Sequence, residues 1–321
     1  MRYFYASFII AVIGLSLAFL IGGFSAVYLT AILAVLEISL SFDNAVVNAK
    51  ILKSMDEVWV KRFLTWGMVV AVFGMRFIFP ILIVAVAANL GIVETVEIAI
   101  KEPLKYHEIL VHSEKLIYAF GGAFLWLVFS DFLFEDKEVR WIKPIEKYAE
   151  KLGRVNNISL IVATLIGIIV TYDAKSYEIA IAYFFGMLTY SILNGINEAF
   201  AIEGAKNGLV GFLYLEMLDA SFSFDGVIGA FAITPNIWLI MIGLGIGAMF
   251  VRSLTIWIVK KGVLDEYKYL EHGAHYAIGV LAVIMLLKIF MHIGEELTGT
   301  LGLALLIIAF LHSKFENAKQ S

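Results

Sequence analysis

Two similar acidic motifs lie within long apolar stretches of the chain. The first reads L-E-I-S-L-S-F-D-N-A and contains Glu37 and Asp43. The second reads L-D-A-S-F-S-F-D-G-V and has Asp219 and Asp225 at the corresponding positions. A carboxylate near the centre of a membrane-spanning helix costs about 2.5–3.5 kcal/mol. Because this cost is incurred at matching positions, the repetition indicates an ion-binding site, although intramembrane salt bridges alone would also explain the acids.

Further oxygen-bearing side chains accompany these four carboxylates. Glu216 precedes Asp219 by three residues and therefore lies on about the same face of a helix. The neutral oxygen donors of the motifs are Asn44, Ser39, Ser41, Ser221 and Ser223. The chain has no cysteine, and its six histidines lie outside both motifs. Oxygen ligands without thiolate or imidazole suit Mn²⁺, Ca²⁺ or Mg²⁺ better than Zn²⁺ or Cu²⁺.

Three basic residues lie inside predicted membrane spans, namely Arg76, Arg252 and Lys288. Arg76 and Arg252 occupy equivalent positions, and we expect them to pair with the acids and hold an empty site closed. Lys288 lies near the end of its span, where its side chain could instead extend to the membrane surface. Five ionised carboxylates and three cations would leave a net charge of −2, which one divalent ion balances. Protonation of some of the acids would change this balance.

Helical geometry predicts an irregularity in each motif. The six-residue gap from Glu37 to Asp43 rotates the chain by about 600°, which leaves the two side chains about 120° apart on a regular helix. Serines can bond to the backbone, and Asn44 and Gly226 tolerate non-helical dihedral angles. We therefore expect each motif helix to be bent or unwound near its aspartate, as in transporters with broken helices at the midplane.

The composition predicts an all-α polytopic membrane protein, since the 321 residues are 61% hydrophobic and only 16% charged. A net charge of −4 and the absence of a basic stripe argue against nucleic-acid binding. We expect neither a prosthetic group nor enzymatic activity. Ten spans are predicted: 4–22, 25–49, 63–88, 115–134, 156–172, 177–194, 208–233, 237–259, 274–291 and 299–313. Whether the spans at 156–172 and 177–194 both cross the membrane fully is left open.

The distribution of basic residues predicts the topology. Ten alternating crossings place 17 lysines and arginines in one set of connecting segments and 4 in the other. Both termini and the loop 135–157 should then be cytoplasmic, in what we expect to be a bacterial inner membrane. Besides lipids and the ion, the sequence leaves open a homo-oligomer or a soluble partner bound at this loop.

An internal repeat extends beyond the motifs. The segment 67–76 matches 243–252 in spacing, and Y-A-F-G at 118–121 matches Y-A-I-G at 276–279. Residues 1–321 are thus predicted to form a single membrane domain with three-helix repeats at about 25–134 and 208–291. Because the motifs fall on spans two and seven, the repeats should be inverted.

These motifs resemble the TerC family of integral membrane proteins. The resemblance lies in E-x-x-x-S-F-D-N from Glu37, in E-x-x-D-x-x-F-x-x-D from Glu216, and in the later runs F-A-I-T, R-S-L and L-K. Gly226 departs from the serine that usually follows the second aspartate. The resemblance implies a cation transporter of the lysine-exporter-like superfamily, some members of which are linked to manganese export or named for tellurium resistance. It also implies these metal-binding positions: Glu37, Asp43, Asn44, Glu216, Asp219 and Asp225.

The leading hypothesis is a secondary transporter that exports a divalent metal ion, foremost Mn²⁺, by proton exchange. An intramembrane aspartyl protease also requires two aspartates on different spans, but the chain lacks a G-x-G-D motif. The alternative function is a membrane scaffold that binds metal without transporting it and recruits a partner protein through the loop 135–157.

Overall fold

The computed structural model is all-α, with no β-strand among the residues that it describes. Its backbone description covers residues 2–53, 55–67, 69–70, 74, 78, 81–82, 84–85, 90–200, 208–234 and 236–320. Five helices in this part of the chain are long and apolar enough to cross a membrane: Tyr5–Leu40, Pro103–Phe134, Ile237–Lys261, Leu270–Lys288 and Thr300–Lys319. The predicted class, an all-α membrane protein, is therefore confirmed.

The helices that the structure describes are numbered in chain order. They are α1 (Tyr5–Leu40), α2 (Phe42–Lys53), α3 (Glu57–Arg62), α4 (Ile92–Lys101), α5 (Pro103–Phe134), α6 (Lys143–Leu152), α7 (Ile158–Ala174), α8 (Tyr177–Phe200), α9 (Leu209–Ile233), α10 (Ile237–Lys261), α11 (Val263–Glu266), α12 (Leu270–Lys288) and α13 (Glu295–Gln320). A 3₁₀ turn at Arg2–Phe4 precedes α1, and a π-helical segment at Phe63–Gly67 follows α3.

Helix α1 covers most of the first predicted span, 4–22, and the first part of the second, 25–49, which continues into α2. Its 36 residues would extend about 54 Å as a straight helix, well beyond the roughly 30 Å thickness of a bilayer core. The backbone leaves helical geometry at Gly22 and Gly23, and Gly23 has a φ of 64°, which glycine adopts without steric cost. A kink between the two predicted spans therefore divides α1.

Contacts with α10 show that the two halves of α1 run in opposite directions. In the first half, Ser7 contacts Met249, and further along α1 Ala18 packs against Leu239. In the second half the order reverses, since Leu33 lies against Gly243 and the later Glu37 lies against Gly247. The chain thus turns back on itself at the kink.

The predicted span near 63–88 lies mostly outside the described residues. Those near 156–172, 177–194 and 208–233 coincide with α7, α8 and α9. Helix α7 has 17 residues, which is short for a full crossing. The total of ten crossings and the inverted order of the repeats stay predictions.

The chain divides into two compact units. Unit one comprises Met1–Glu114 and Ala205–Lys260, and unit two comprises Lys115–Gly204 and Lys261–Ser321. Both acidic motifs belong to unit one, whereas the loop 135–157 and Lys288 belong to unit two. Each predicted repeat contributes its first two spans to unit one and its third span to unit two.

Close approaches at small residues organise unit two. A Cβ atom on Gly122 would lie 2.8 Å from Leu286, and one on Gly279 would lie 2.7 Å from the ring of Phe129. Helices α5 and α12 therefore pack in antiparallel directions. On α8, the hydroxyl of Tyr183 donates a 2.7 Å hydrogen bond to the carbonyl oxygen of Ala163 on α7. Small residues let membrane helices approach closely enough for such packing.

Candidate metal site

The first acidic motif lies at an interruption between two helices. Helix α1 ends at Leu40, Ser41 adopts φ −107° and ψ 16°, and α2 begins at Phe42. Ser41 keeps its backbone hydrogen bond to Glu37, so the interruption is local. It separates Glu37 on the last turn of α1 from Asp43 on the first turn of α2. The predicted irregularity in the first motif is therefore confirmed.

The second motif differs from the prediction. Helix α9 is continuous from Leu209 to Ile233 and has helical backbone through Asp225 and Gly226. The expected bend or unwinding near this aspartate was wrong. Gly226 tolerates non-helical dihedral angles, but it also tolerates helical ones, and here it allows a close approach to Glu37.

Glu37 is fully buried, and its position is fixed by contacts on two sides. The hydroxyl of Ser41 donates a 2.7 Å hydrogen bond to its Oε1 atom. Its aliphatic stem lies against Gly247 of α10, where an added Cβ would come within 2.4 Å of the Glu37 Cβ. Ser41, predicted as a supporting residue, thus orients the carboxylate.

Gly226 brings the second motif close to Glu37. A Cβ atom at position 226 would lie 3.0 Å from Oε2 of Glu37. A serine at this position would place its side chain against the Glu37 carboxylate. The absence of a side chain at Gly226 therefore leaves space around Glu37 in this protein.

A side-chain hydrogen bond connects the two motifs directly. The Nδ2 group of Asn44 donates to Oδ1 of Asp219 over 3.4 Å. The backbone N–H of the same asparagine donates to Oδ1 of Asp43 over 3.0 Å. All three side chains are buried, with at most 8% of their surface exposed. Asn44 is thus a neutral donor between two acids from different motifs.

Glu216 and Arg252 lie on the neighbouring part of unit one. Glu216 is buried, and a Cβ on Gly67 would lie 2.7 Å from its Oε1 atom. Arg252 interacts electrostatically with Glu216 and Asp219. Within the described part of the chain it forms no ion pair as short as 4 Å, and its buried Nη2 atom has no hydrogen-bond acceptor there. The direct pairing of Arg252 with an acid that the sequence predicted is therefore not formed among the described side chains.

Of the predicted site residues Arg76, Ser223, Asp225 and Lys288, only Lys288 has a side chain that the structure describes. Arg76 lies outside the described residues, as do the side chains of Ser223 and Asp225. Lys288 is buried in unit two, with its Nζ atom 5.1 Å from the ring centroid of Tyr118. Its side chain therefore does not extend to an exposed position.

The described side chains alone form no compact carboxylate cluster. Among them, no three aspartate, glutamate or histidine groups are close enough together to hold a metal ion. The structure does bring Asp43, Asn44 and Asp219 into one hydrogen-bonded group and places Gly226 beside Glu37. The donors are carboxylate, amide and hydroxyl oxygens, which fit a hard divalent cation.

One buried amide beside this group was not predicted. Asn48 follows Asn44 by one helical turn on α2 and is only 5% exposed. Its Oδ1 atom has no hydrogen-bond partner among the described residues. The spacing of four residues between two asparagines is the sequence signal that could have identified it, since residues at i and i+4 share a helical face.

The fold and the buried acids together define an integral membrane protein with polar groups inside its helical core. Residues 42–320 match the family described as "Protein of unknown function (DUF475)", and the chain belongs to that family. A 72-residue segment is 31% identical to the "Uncharacterized membrane protein YceF" of Bacillus subtilis (strain 168). This segment covers 22% of the chain and 27% of that relative, so the match spans about a quarter of the relative's length. No solved structure matches the chain.

Proposed function

We propose that this protein is a secondary transporter that exports a divalent metal ion, foremost Mn²⁺, from the cytoplasm. The observation that carries the proposal is the hydrogen bond between Asn44 and Asp219, which joins two acidic motifs inside an apolar bundle. Polar groups buried within membrane helices are costly and are characteristic of ion pathways. The resemblance to the TerC family supports manganese as the first ion to test.

The chain's own residues suggest how the ion would be bound and released. Glu37, Asp43 and Asp219 would bind it through carboxylate oxygens, and Asn44 through its amide oxygen, with Glu216 and Asp225 completing the predicted set. The interruption at Ser41 would serve as a hinge between α1 and α2. Movement of the predicted repeats would then expose the site alternately to each side of the membrane.

Proton exchange is the proposed coupling. A carboxylate must lose its proton to bind a metal, so protons and metal compete for the same oxygens. In inverted vesicles, a lumen that is more acidic than the external medium should therefore drive metal uptake, because protons leave as the metal enters. Uptake that is unchanged when an ionophore collapses the pH gradient would disprove proton coupling and leave the metal site untouched.

The transport site can be tested by ⁵⁴Mn²⁺ flux in proteoliposomes. We expect Asp43→Asn and Asp219→Asn each to abolish most of the flux, because each removes a carboxylate from the hydrogen-bonded group. Asp173→Asn is the matched control, since Asp173 is exposed on α7. Competition by Ca²⁺, Mg²⁺ and Zn²⁺ would rank the ions. A folded wild type that moves none of them would disprove the transporter and favour the metal-binding scaffold.

A further inference from the structure

Helix α6 lies in a short connection between two apolar helices. It follows α5, a membrane-spanning candidate that ends at Phe134, and precedes α7, which begins at Ile158. The segment 153–157 after α6 can extend over at most about 17 Å. Helix α6 must therefore stay near the membrane surface.

One face of α6 is anchored within unit two. Glu146 and Ala149 are buried. The Glu146 carboxylate accepts a 2.9 Å hydrogen bond from the backbone N–H of Trp141 and a 3.2 Å bond from the hydroxyl of Tyr276 on α12. These bonds prevent free rotation of α6 about its axis and fix which side chains point outward.

A second face of α6 carries an exposed apolar stripe. Ile145, Tyr148 and Leu152 follow one another at the spacing of a single helical face and are 51%, 70% and 53% exposed. Val155 extends the stripe and is 48% exposed. A connecting segment in water would normally expose polar groups here, so this stripe is suited to an apolar environment.

A third face of α6 is basic and lines a cavity. Lys143, Lys147 and Lys151 recur at intervals of four residues, and Arg154 follows them. These four residues help to line a cavity of about 810 Å³. The other lining residues are Phe134, Asp136, Glu138, Arg140, Glu150 and Gly153.

Two of the three acids that line this cavity are paired with Arg140. The Nε group of Arg140 donates to both carboxylate oxygens of Glu150, over 2.8 and 2.9 Å, and its Nη2 group lies 3.4 Å from Asp136. In the described part of the chain, Lys143, Lys147 and Arg154 form no salt bridge with a carboxylate. The cavity therefore presents an excess of positive charge to an external anion.

We propose that α6 is an interfacial helix that binds anionic phospholipid. Ile145, Tyr148 and Leu152 would enter the boundary between headgroups and acyl chains. Lys143, Lys147, Lys151 and Arg154 would contact the phosphate groups from the adjoining cavity. An amphipathic helix with apolar and basic faces is the known form of such binding. The covalent connection to flanking apolar helices favours a lipid surface over a soluble protein, and this proposal is independent of ion transport.

The depth of α6 can be measured with a single spin label, because the chain contains no cysteine. Full-length protein carrying a label at Leu152→Cys would be reconstituted in vesicles with and without phosphatidylglycerol. With this anionic lipid, we expect the label to be accessible to oxygen and protected from a water-soluble nickel chelate. A label at Asn156→Cys, in the exposed loop after α6, is the control and should stay accessible to the chelate.

The charge requirement can be measured by native mass spectrometry of the intact protein with retained lipids. Lys147→Gln combined with Lys151→Gln should lower retention of phosphatidylglycerol about 25-fold, since each basic residue near an anionic surface contributes a factor of roughly five. Lys314→Gln with Lys319→Gln removes the same charge from exposed positions on α13 and should have little effect.

Three results would overturn the proposal. The first is a Leu152 label that is fully accessible to the chelate in both lipid mixtures, and the second is equal retention of phosphatidylglycerol by both charge variants. The third is a label that is protected only after a soluble protein is added, which would identify α6 as a protein-docking helix instead. A spectrum that reports on folding would be recorded for each variant, so that a misfolded variant is recognised directly.

Discussion

The amide of Asn44 donates a 3.4 Å hydrogen bond to Asp219, a residue 175 positions later in the chain. Through its backbone N–H, the same asparagine also contacts Asp43. A neutral donor between two acids satisfies acceptor groups that would otherwise be costly to bury. Asn44 therefore holds the two motifs together without adding a further charge to the apolar bundle.

Replacing Asn44 should impair metal binding more than folding. We expect Asn44→Ala to lower the affinity for Mn²⁺ about 10- to 100-fold, the range typical for loss of a hydrogen bond that orients a ligand. Isothermal titration and ⁵⁴Mn²⁺ flux would measure the effect. Asn156→Ala, at an exposed loop position, is the control. Unchanged binding in folded Asn44→Ala would show that the contact is structural only.

A methyl group at position 226 should disturb Glu37 while leaving the helix intact. In Gly226→Ala the new Cβ would lie 3.0 Å from Oε2 of Glu37. Alanine favours a helix over glycine by about 1 kcal/mol, so α9 itself should not be weakened. We expect weaker Mn²⁺ binding with an unchanged or raised melting temperature. Gly91→Ala is the control, because a Cβ there has no described neighbour within 4 Å. Tighter binding would contradict this prediction.

Two glycines on α10 should separate stability from site geometry. In Gly243→Ala the new Cβ would lie 2.5 Å from Cβ of Leu33, and in Gly247→Ala it would lie 2.4 Å from Cβ of Glu37. Overpacking of this kind typically costs about 1–3 kcal/mol. Both variants should therefore melt at lower temperature, as monitored by tryptophan fluorescence in detergent.

Only the variant beside the acid should also change metal binding. The melting temperature of Gly247→Ala should rise less on addition of Mn²⁺ than that of wild type, because Glu37 is displaced. In Gly243→Ala, Mn²⁺ should raise the melting temperature as much as it does in wild type. An equal rise in melting temperature with Mn²⁺ in the two variants would disprove a role for Glu37 in the site.

The contact between Arg140 and Glu150 should make stability depend on pH. The hydrogen bond from Arg140 holds the pKa of Glu150 below its usual range. A depressed folded-state pKa contributes stability above the unfolded pKa of about 4.3, and this contribution is lost as pH falls through the lower folded-state value. Arg140→Gln should therefore melt below wild type at pH 7, and the difference should shrink at pH values below about 4. A difference that grows on acidification would contradict this assignment.

Local features of the fold were predictable from the sequence. Apolar length predicted the spans, because a helix must be about 20 residues long to cross a bilayer. The kink at Gly23 and the interruption at Ser41 fall where the sequence predicted a connection and an irregularity. Each of these features depends on the conformational preferences of a few adjacent residues, which is why the sequence reveals them.

The sequence by itself determined that two acidic motifs lie in apolar spans and that their donors are oxygen atoms. Only the tertiary structure decided that Asn44 meets Asp219, that Gly226 lies beside Glu37, and that the second motif helix is continuous. Helices that are apolar on all sides give no periodic signal of which face meets which neighbour. Close packing at small residues selects the facing pairs, and these pairs are remote in sequence.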